Sequence, residues 1–267
     1  MKKITVFFLA AAMILSLGAC NGKPTSSGAP GKTTSSGAAA PSKASSLPEP
    51  AYKDASRAPS AKATAAKNDG AYKVKSQDYN YESENNDFSV SYPQLSGLAS
   101  NQDKVNAAIK TAAMKTVTSL GTGAKKEKVK VKTSGDVTYE GKTFLSIGFN
   151  EYVTPKPKAK KVHTLRTVNV NLKTGAAVSF SDLIKENDAF YAALEKAAKA
   201  QFSSKNDAKA TAASLKGSLD KNSLYFTDSS VGFALKDSGD GKLLRVTLGF
   251  NEVKPFITSN EIWKNFI

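Results

Sequence analysis

Cysteine and histidine each occur once in the chain, as Cys20 and His163. Zinc and other transition-metal sites usually take several such ligands, and a catalytic triad needs a histidine held beside a nucleophile. His163 stands between a lysine-rich loop and a strand, and no nucleophile-elbow motif accompanies it. We therefore predict no enzymatic activity, no metal and no cofactor. We expect His163 to be a structural imidazole at a strand edge that hydrogen-bonds the neighbouring loop.

The acidic residues give only weak signals of catalysis or cation binding. Glu127, Glu140 and Glu151 alternate with lysines, as is typical of solvated strand faces, although this leaves paired carboxylates for glycoside hydrolysis open. Residues 237–241, Asp-Ser-Gly-Asp-Gly, resemble the start of a calcium loop but lack its later bidentate glutamate, which favours a plain turn. A cell-wall hydrolase is therefore the least favoured function.

Lysines form the clearest candidate binding groups. Lys126, Lys128 and Lys130 fall on one face of a predicted strand, in line with Lys132. A predicted loop carries a second cluster, Lys156, Lys158, Lys160 and Lys161, next to His163. These residues could bind teichoic acids, anionic lipids or other phosphate-rich polymers through counterion release, with nucleic acid the least expected of them. The alternative is that alternating lysines only protect an exposed strand from edge pairing.

Cys20 ends an N-terminal pattern that resembles a bacterial lipoprotein signal. Lys2 and Lys3 precede an apolar run over residues 4–15, and Leu17-Gly18-Ala19-Cys20 resembles a lipobox. Residues 1–19 are therefore expected to be a signal peptide, and Cys20 the lipidated residue, carrying acyl chains such as palmitate. Two or three such chains would hold the protein on the outer face of the cell membrane. An ordinary secretory signal with an incidental cysteine is the alternative.

Composition separates a tether from a folded domain. Residues 20–70 are almost wholly Ala, Ser, Gly, Pro, Thr and Lys, which predicts a disordered spacer with a root-mean-square reach of roughly 40 Å. Residues 71–267 carry recurring aromatic and β-branched residues, with 29 basic against 20 acidic side chains. They predict one cationic domain, possibly two subdomains over 71–172 and 173–267.

Periodicity predicts an α+β fold for this domain, with mostly antiparallel sheets and about three packed helices. Residues 88–92 and 143–153 alternate as strands, with Leu145, Ile147 and Phe149 on one side. Helices are expected after Asn101, over 188–203 and over 207–219, with a short helix capped by Ser181. The lack of strand-helix-strand alternation favours antiparallel pairing.

Several short motifs give a resemblance to a known family. They are Ser91-Tyr92-Pro93, Asn106, His163, the Thr174-Gly175 turn, Phe180-Ser181-Asp182-Leu183 and Leu224-Tyr225-Phe226. Together they resemble the extracellular domain of RsiV-type anti-sigma factors and the N-terminal module of PdaC-type peptidoglycan deacetylases. The resemblance implies a non-catalytic binding or sensing domain outside the cell, which in RsiV recognises lysozyme. Only Met1, Lys2 and Lys3 precede the apolar run, so we expect no anti-sigma activity.

Two binding functions then compete. The first is a membrane-anchored module for peptidoglycan, wall polymers or other anionic surface components. The second is a receptor or inhibitor of a protein ligand such as lysozyme, which would need a local acidic patch, around Glu82, Glu84 and Asp87. Salt-sensitive binding would favour the first function, and salt-tolerant binding to one protein would favour the second.

Overall fold

A computed structural model describes residues 68–122, 127–202, 211–235 and 243–267. The predicted leader, Cys20 and most of the predicted tether lie outside the described residues, as do Lys126 and the turn at 237–241. In the part of the chain that is described, no helix is long and apolar enough to cross a lipid bilayer.

The described residues form an α+β fold of two sheets and five α-helices, which confirms the predicted class. The first sheet has six strands in chain order: β1 (Lys73–Glu82), β2 (Asn86–Ser96), β3 (Val129–Glu140), β4 (Phe144–Thr154), β5 (Val162–Asn171) and β6 (Ala176–Ala177). The second sheet is β7 (Leu219–Phe226), β8 (Ser230–Leu235) and β9 (Leu244–Gly249). The helices are α1 (Gln102–Leu120), α2 (Phe180–Leu183), α3 (Asp188–Gln201), α4 (Ala212–Ser218) and α5 (Phe250–Val253).

The pairing of β2 with β3 differs from the antiparallel pairing that the sequence favoured. These strands run parallel, with Asp87 opposite Lys130, and α1 connects them, so the fold contains one strand-helix-strand unit that the sequence did not predict. A helix of 19 residues is about 28 Å long, enough to return the chain along a whole strand. The other strand pairs are antiparallel.

Strand β4 is the centre of the fold because it is buried on both faces. Leu145, Ile147 and Phe149 pack in one core with α1 and the inner face of the sheet, as predicted. Phe144 packs in a second core with α3 and the three-stranded sheet, and the Ser146 hydroxyl accepts a hydrogen bond from the Phe226 amide at 3.0 Å. Each such fully buried apolar side chain stabilises the fold by about 1.5–3 kcal/mol.

The N-terminal capping of two helices differs from the prediction. Asn101 occupies the position before α1 with a φ of 60°, and its side chain makes no capping hydrogen bond. It donates instead to the carbonyl of Lys173 at 2.7 Å, which joins α1 to the turn after β5. Gly175 in that turn has a φ of 72° and lies against Lys104, so a side chain there would clash. Ser179, not Ser181, caps α2.

Candidate anion-binding surface

Loop 155–161 joins the antiparallel strands β4 and β5, so the predicted lysine-rich loop is the tip of a long hairpin. Its side chains Lys156, Lys158 and Lys160 are exposed, and Lys158 adopts a left-handed φ of 63°. No acidic residue in the described part of the chain lies within salt-bridge distance of these three lysines. The loop therefore presents positive charge that is not neutralised by those residues.

The strand lysines are placed differently. Lys128 pairs with Glu82 at 3.0 Å, and Lys130 pairs with Asp87 at 3.0 Å. The pairing order β1-β2-β3 places these acidic and basic residues side by side at one end of the sheet. Two of the three residues of the predicted acidic patch are thus neutralised, and so are two of the predicted strand lysines. Lys132 continues the same face and is exposed.

A stacked pair of rings stands at the base of the hairpin. Tyr152 on β4 is directly opposite His163 on β5, with ring centroids 4.2 Å apart and an angle of 17° between the planes. The Lys161 ammonium lies 4.3 Å from the centre of the Tyr152 ring, a cation–π contact, and Lys132 is opposite Tyr152 on the other side. The structure thus brings His163 together with the loop lysines, while the predicted hydrogen bond from His163 to the loop stays a prediction.

We call this group the hairpin surface, and it consists of Lys132, Tyr152, Lys156, Lys158, Lys160, Lys161 and His163. Sequence reasoning missed Tyr152, although a signal was present. A hairpin pairs residues at similar distances from its loop, and Tyr152 and His163 stand three and two residues from loop 155–161. Lysine ammonium groups are the part of this surface whose charge is complementary to anionic groups, whereas the faces of aromatic rings attract cations. Among the described residues, no three His, Cys, Asp or Glu side chains converge as metal ligands would.

Below the hairpin surface, on the opposite face of the sheet, Glu151 forms a buried polar network. The expectation that Glu151 is solvated is wrong, because only 3% of the residue is exposed. Its carboxylate forms a salt bridge with Arg166 and accepts hydrogen bonds from Thr116 at 2.8 Å and Thr133 at 3.3 Å. Arg166 also donates to the Thr116 hydroxyl at 2.6 Å.

The network connects α1, β3, β4 and β5 next to the strand residues that hold the hairpin surface. Its position follows from the strand period of two, since the alternation that turns Leu145, Ile147 and Phe149 inward also turns Glu151 inward. Glu127, by contrast, is exposed as predicted, and Glu140 is half-buried. The network therefore fixes the base of the hairpin.

Two solved structures have a similar fold. One is a DUF3298 family member from Bacteroides fragilis, with a TM-score of 0.52 and 10% identity, covering 72% of this chain and 96% of that one. The other is a DUF3298 family protein from Pseudomonas aeruginosa, with a TM-score of 0.50 and 12% identity, covering 70% of this chain and 95% of that one.

No family model and no curated protein match the sequence. At identities this low, the likeness concerns the fold alone. It agrees with the RsiV-like and PdaC-like resemblance only in broad terms.

Proposed function

We propose that this protein is an extracytoplasmic lipoprotein, anchored to the outer face of the cell membrane through Cys20. In this proposal its domain binds anionic cell-wall polymers through the hairpin surface and catalyses no reaction. The observation that carries the proposal is the set of exposed loop lysines that no described acidic residue pairs with, beside the Tyr152–His163 stack.

Lysine suits a polymer ligand with repeated phosphates. Its ammonium is a compact charge on a flexible stem, so several lysines can follow a chain whose geometry is not fixed. Binding of this kind releases counterions from the polymer and weakens as salt is added. The Tyr152 ring, which stacks on His163, contacts the Lys161 ammonium, and a side chain held in this way loses less conformational entropy on binding.

The N-terminal sequence supports the location. The lipobox-like pattern before Cys20 and the long Ala, Ser, Gly and Pro-rich segment are typical of a protein held at a membrane with its domain some distance away. The resemblance to RsiV and PdaC modules supports a binding role for the domain outside the cell.

Co-sedimentation with isolated cell walls tests the proposal. The soluble form, residues 20–267 with Cys20→Ser, is mixed with intact walls and with walls stripped of anionic polymers, at low and high salt. We expect binding to intact walls at low salt, and loss of binding after stripping or at high salt. Absence of binding to intact walls at low salt would contradict the proposal. It would favour a protein ligand, which could be tested first with lysozyme.

A further inference from the structure

A small polar cleft lies at the end of the six-stranded sheet that is opposite the hairpin. Its walls come from the turn before β4, the end of β5 and a C-terminal 3₁₀-helix, Glu261–Asn265, and its volume is about 220 Å³. Drug-sized ligands occupy pockets of about 300–1,000 Å³, so this cleft suits a smaller molecule. Besides the buried Ile262, six polar side chains line it: Thr143, Asn171, Lys173, Glu261, Lys264 and Asn265.

The uncharged polar groups of the cleft are held in place by hydrogen bonds within it. The Thr143 hydroxyl donates to the Asn265 side chain at 2.8 Å. The Asn171 side chain donates to the Glu261 carboxylate at 3.2 Å and accepts from the backbone amide of Lys173 at 2.9 Å. Side chains fixed in this way lose little freedom when a ligand binds, and each retains hydrogen-bonding capacity for that ligand.

Three charged side chains surround these groups. Lys173, Glu261 and Lys264 are all exposed. Neither lysine lies within salt-bridge distance of a carboxylate among the residues that the structure describes, although Glu261 lines the same cleft. The cleft therefore presents one carboxylate and two ammonium groups that are spaced too far apart to pair with each other.

We propose that this cleft binds a free acidic amino acid. Such a molecule carries one ammonium and two carboxylate groups at neutral pH, which complements the one carboxylate and two ammonium groups of the cleft. In this arrangement the ligand ammonium contacts Glu261, and its carboxylates contact Lys173 and Lys264 through charge-assisted hydrogen bonds. Because the three charged groups are exposed, we expect weak, salt-sensitive binding with a Kd of about 1 mM.

The cleft is separate from the hairpin surface, so this binding does not depend on the proposed function. Thr143 precedes β4 and Asn171 ends β5, whereas loop 155–161 joins the opposite ends of these strands. Eleven residues of β4, at about 3.3 Å each, separate the two sites by about 35 Å. Removal of the charges of Lys173 and Lys264 should therefore leave binding at the hairpin surface unchanged.

An NMR titration of the soluble Cys20→Ser form at low salt tests the cleft. The probes are L-glutamate, D-glutamate and two analogues that each lack one charge: glutarate has no ammonium group, and glutamine has one carboxylate fewer. We expect saturable amide shifts in residues 143, 171–173 and 261–265 with at least one enantiomer of glutamate. Glutarate and glutamine should bind at least about fivefold more weakly, since each leaves one charged group of the cleft without a partner.

Glu261→Gln should weaken glutamate binding about fivefold and reduce the preference for glutamate over glutarate, because the ligand ammonium loses its partner. The matched control, Glu127→Gln, removes an exposed carboxylate elsewhere and should leave the affinity unchanged. The spectrum of each variant also reports whether it is folded. No saturable shift with either enantiomer up to about 10 mM would overturn the inference. Equal affinities for glutamate, glutarate and glutamine, or equal weakening by the two variants, would also overturn it.

Discussion

The two ends of the six-stranded sheet both carry lysines and carboxylates, but these groups have different partners. At the end opposite the hairpin, residues 68–72 contact residues 140–142, and we call this group the clamp. In the clamp, Lys142 pairs with Asp69, and Glu140 accepts a hydrogen bond from Asn68. At the hairpin, described carboxylates neutralise Lys128 and Lys130 in β3 and its flank but none of the loop lysines 156, 158 and 160. The charged groups of the clamp thus contact other groups of the domain, whereas the three loop lysines have no described carboxylate within salt-bridge distance.

The difference between the strand lysines and the loop lysines shows that lysine spacing alone does not identify a binding site. The two lysine clusters look alike in sequence, with alternating or crowded basic residues. The difference comes from strand order, which sets Glu82 and Asp87 beside β3 and leaves the loop beyond the reach of acidic residues in the described part of the chain. Four variants test this difference.

Removal of Glu151 should have the largest effect, on stability. Glu151→Ala leaves the largely buried Arg166 without its carboxylate, with an expected loss of about 3 kcal/mol in the free energy of unfolding. Urea denaturation measures this loss. The control is Glu127→Ala at an exposed site, expected to change stability by no more than about 0.5 kcal/mol. If both variants changed the free energy of unfolding by similarly small amounts, the Glu151–Arg166 pair would not be needed for the stability of the domain.

Replacement of Lys156, Lys158, Lys160 and Lys161 by serine should have the next largest effect, on binding. We expect wall binding at low salt to weaken roughly 10- to 100-fold, since each lysine near an anionic surface contributes up to about 1 kcal/mol. Stability should fall by no more than about 1 kcal/mol, because the four side chains are exposed and the described contact that is lost is the cation–π pair of Lys161 with Tyr152.

The matched control removes the same charge from four exposed lysines elsewhere, Lys173, Lys185, Lys254 and Lys264. Equal weakening by the two quadruple variants would show that net charge, and not the hairpin surface, determines binding.

Tyr72→Phe tests the clamp. The change removes the hydroxyl that donates to the buried carbonyl of Gly141, with an expected cost of about 1–2 kcal/mol in unfolding free energy. Wall binding should not change. Tyr79→Phe is the control, since the Tyr79 hydroxyl makes no hydrogen bond to the residues that the structure describes. Weaker wall binding by Tyr72→Phe, measured under conditions where the variant is folded, would contradict the view that the clamp takes no part in binding at the hairpin surface.

Glu140→Gln should have the smallest effect, on the pH dependence of stability. Burial raises the pKa of Glu140 in the folded state above its ordinary value of 4.5. The folded protein therefore binds a proton more readily than the unfolded chain, and this site loses stability as pH rises from 4.5 through the folded pKa. Glutamine removes that loss.

Urea midpoints measured across this pH window should show the stability of Glu140→Gln increasing relative to the native protein as pH rises. A relative decrease with rising pH would show that the carboxylate form is the one that the clamp favours.

Much of the fold follows from local patterns. Alternation in residues 88–92 and 145–149 gives the core strands, and the Pro- and Lys-rich loop 155–161 gives the hairpin. The parallel pairing of β2 with β3 could not be predicted this way, because it depends on how α1 returns the chain across the sheet. The same period of two could have placed Glu151 inside, but the lysine-rich surroundings indicated a solvated face.

The site is less accessible to sequence reasoning than the fold. The loop lysines and His163 could be named from composition, but pairing of Lys128 and Lys130 with acidic residues requires knowledge of strand order. Tyr72 reads as an ordinary strand residue, and its contact with Gly141 joins positions 69 residues apart. Contacts of this kind depend on tertiary packing.

An NMR titration of the soluble Cys20→Ser form with purified anionic wall polymer at low salt tests most directly whether the hairpin surface is the binding site. We expect amide shifts to change in residues 128–132 and 152–163, and we expect high salt to reverse the changes. Shifts concentrated in residues 68–72, 140–143 and 261–267 would place the ligand at the clamp and contradict binding at the hairpin surface.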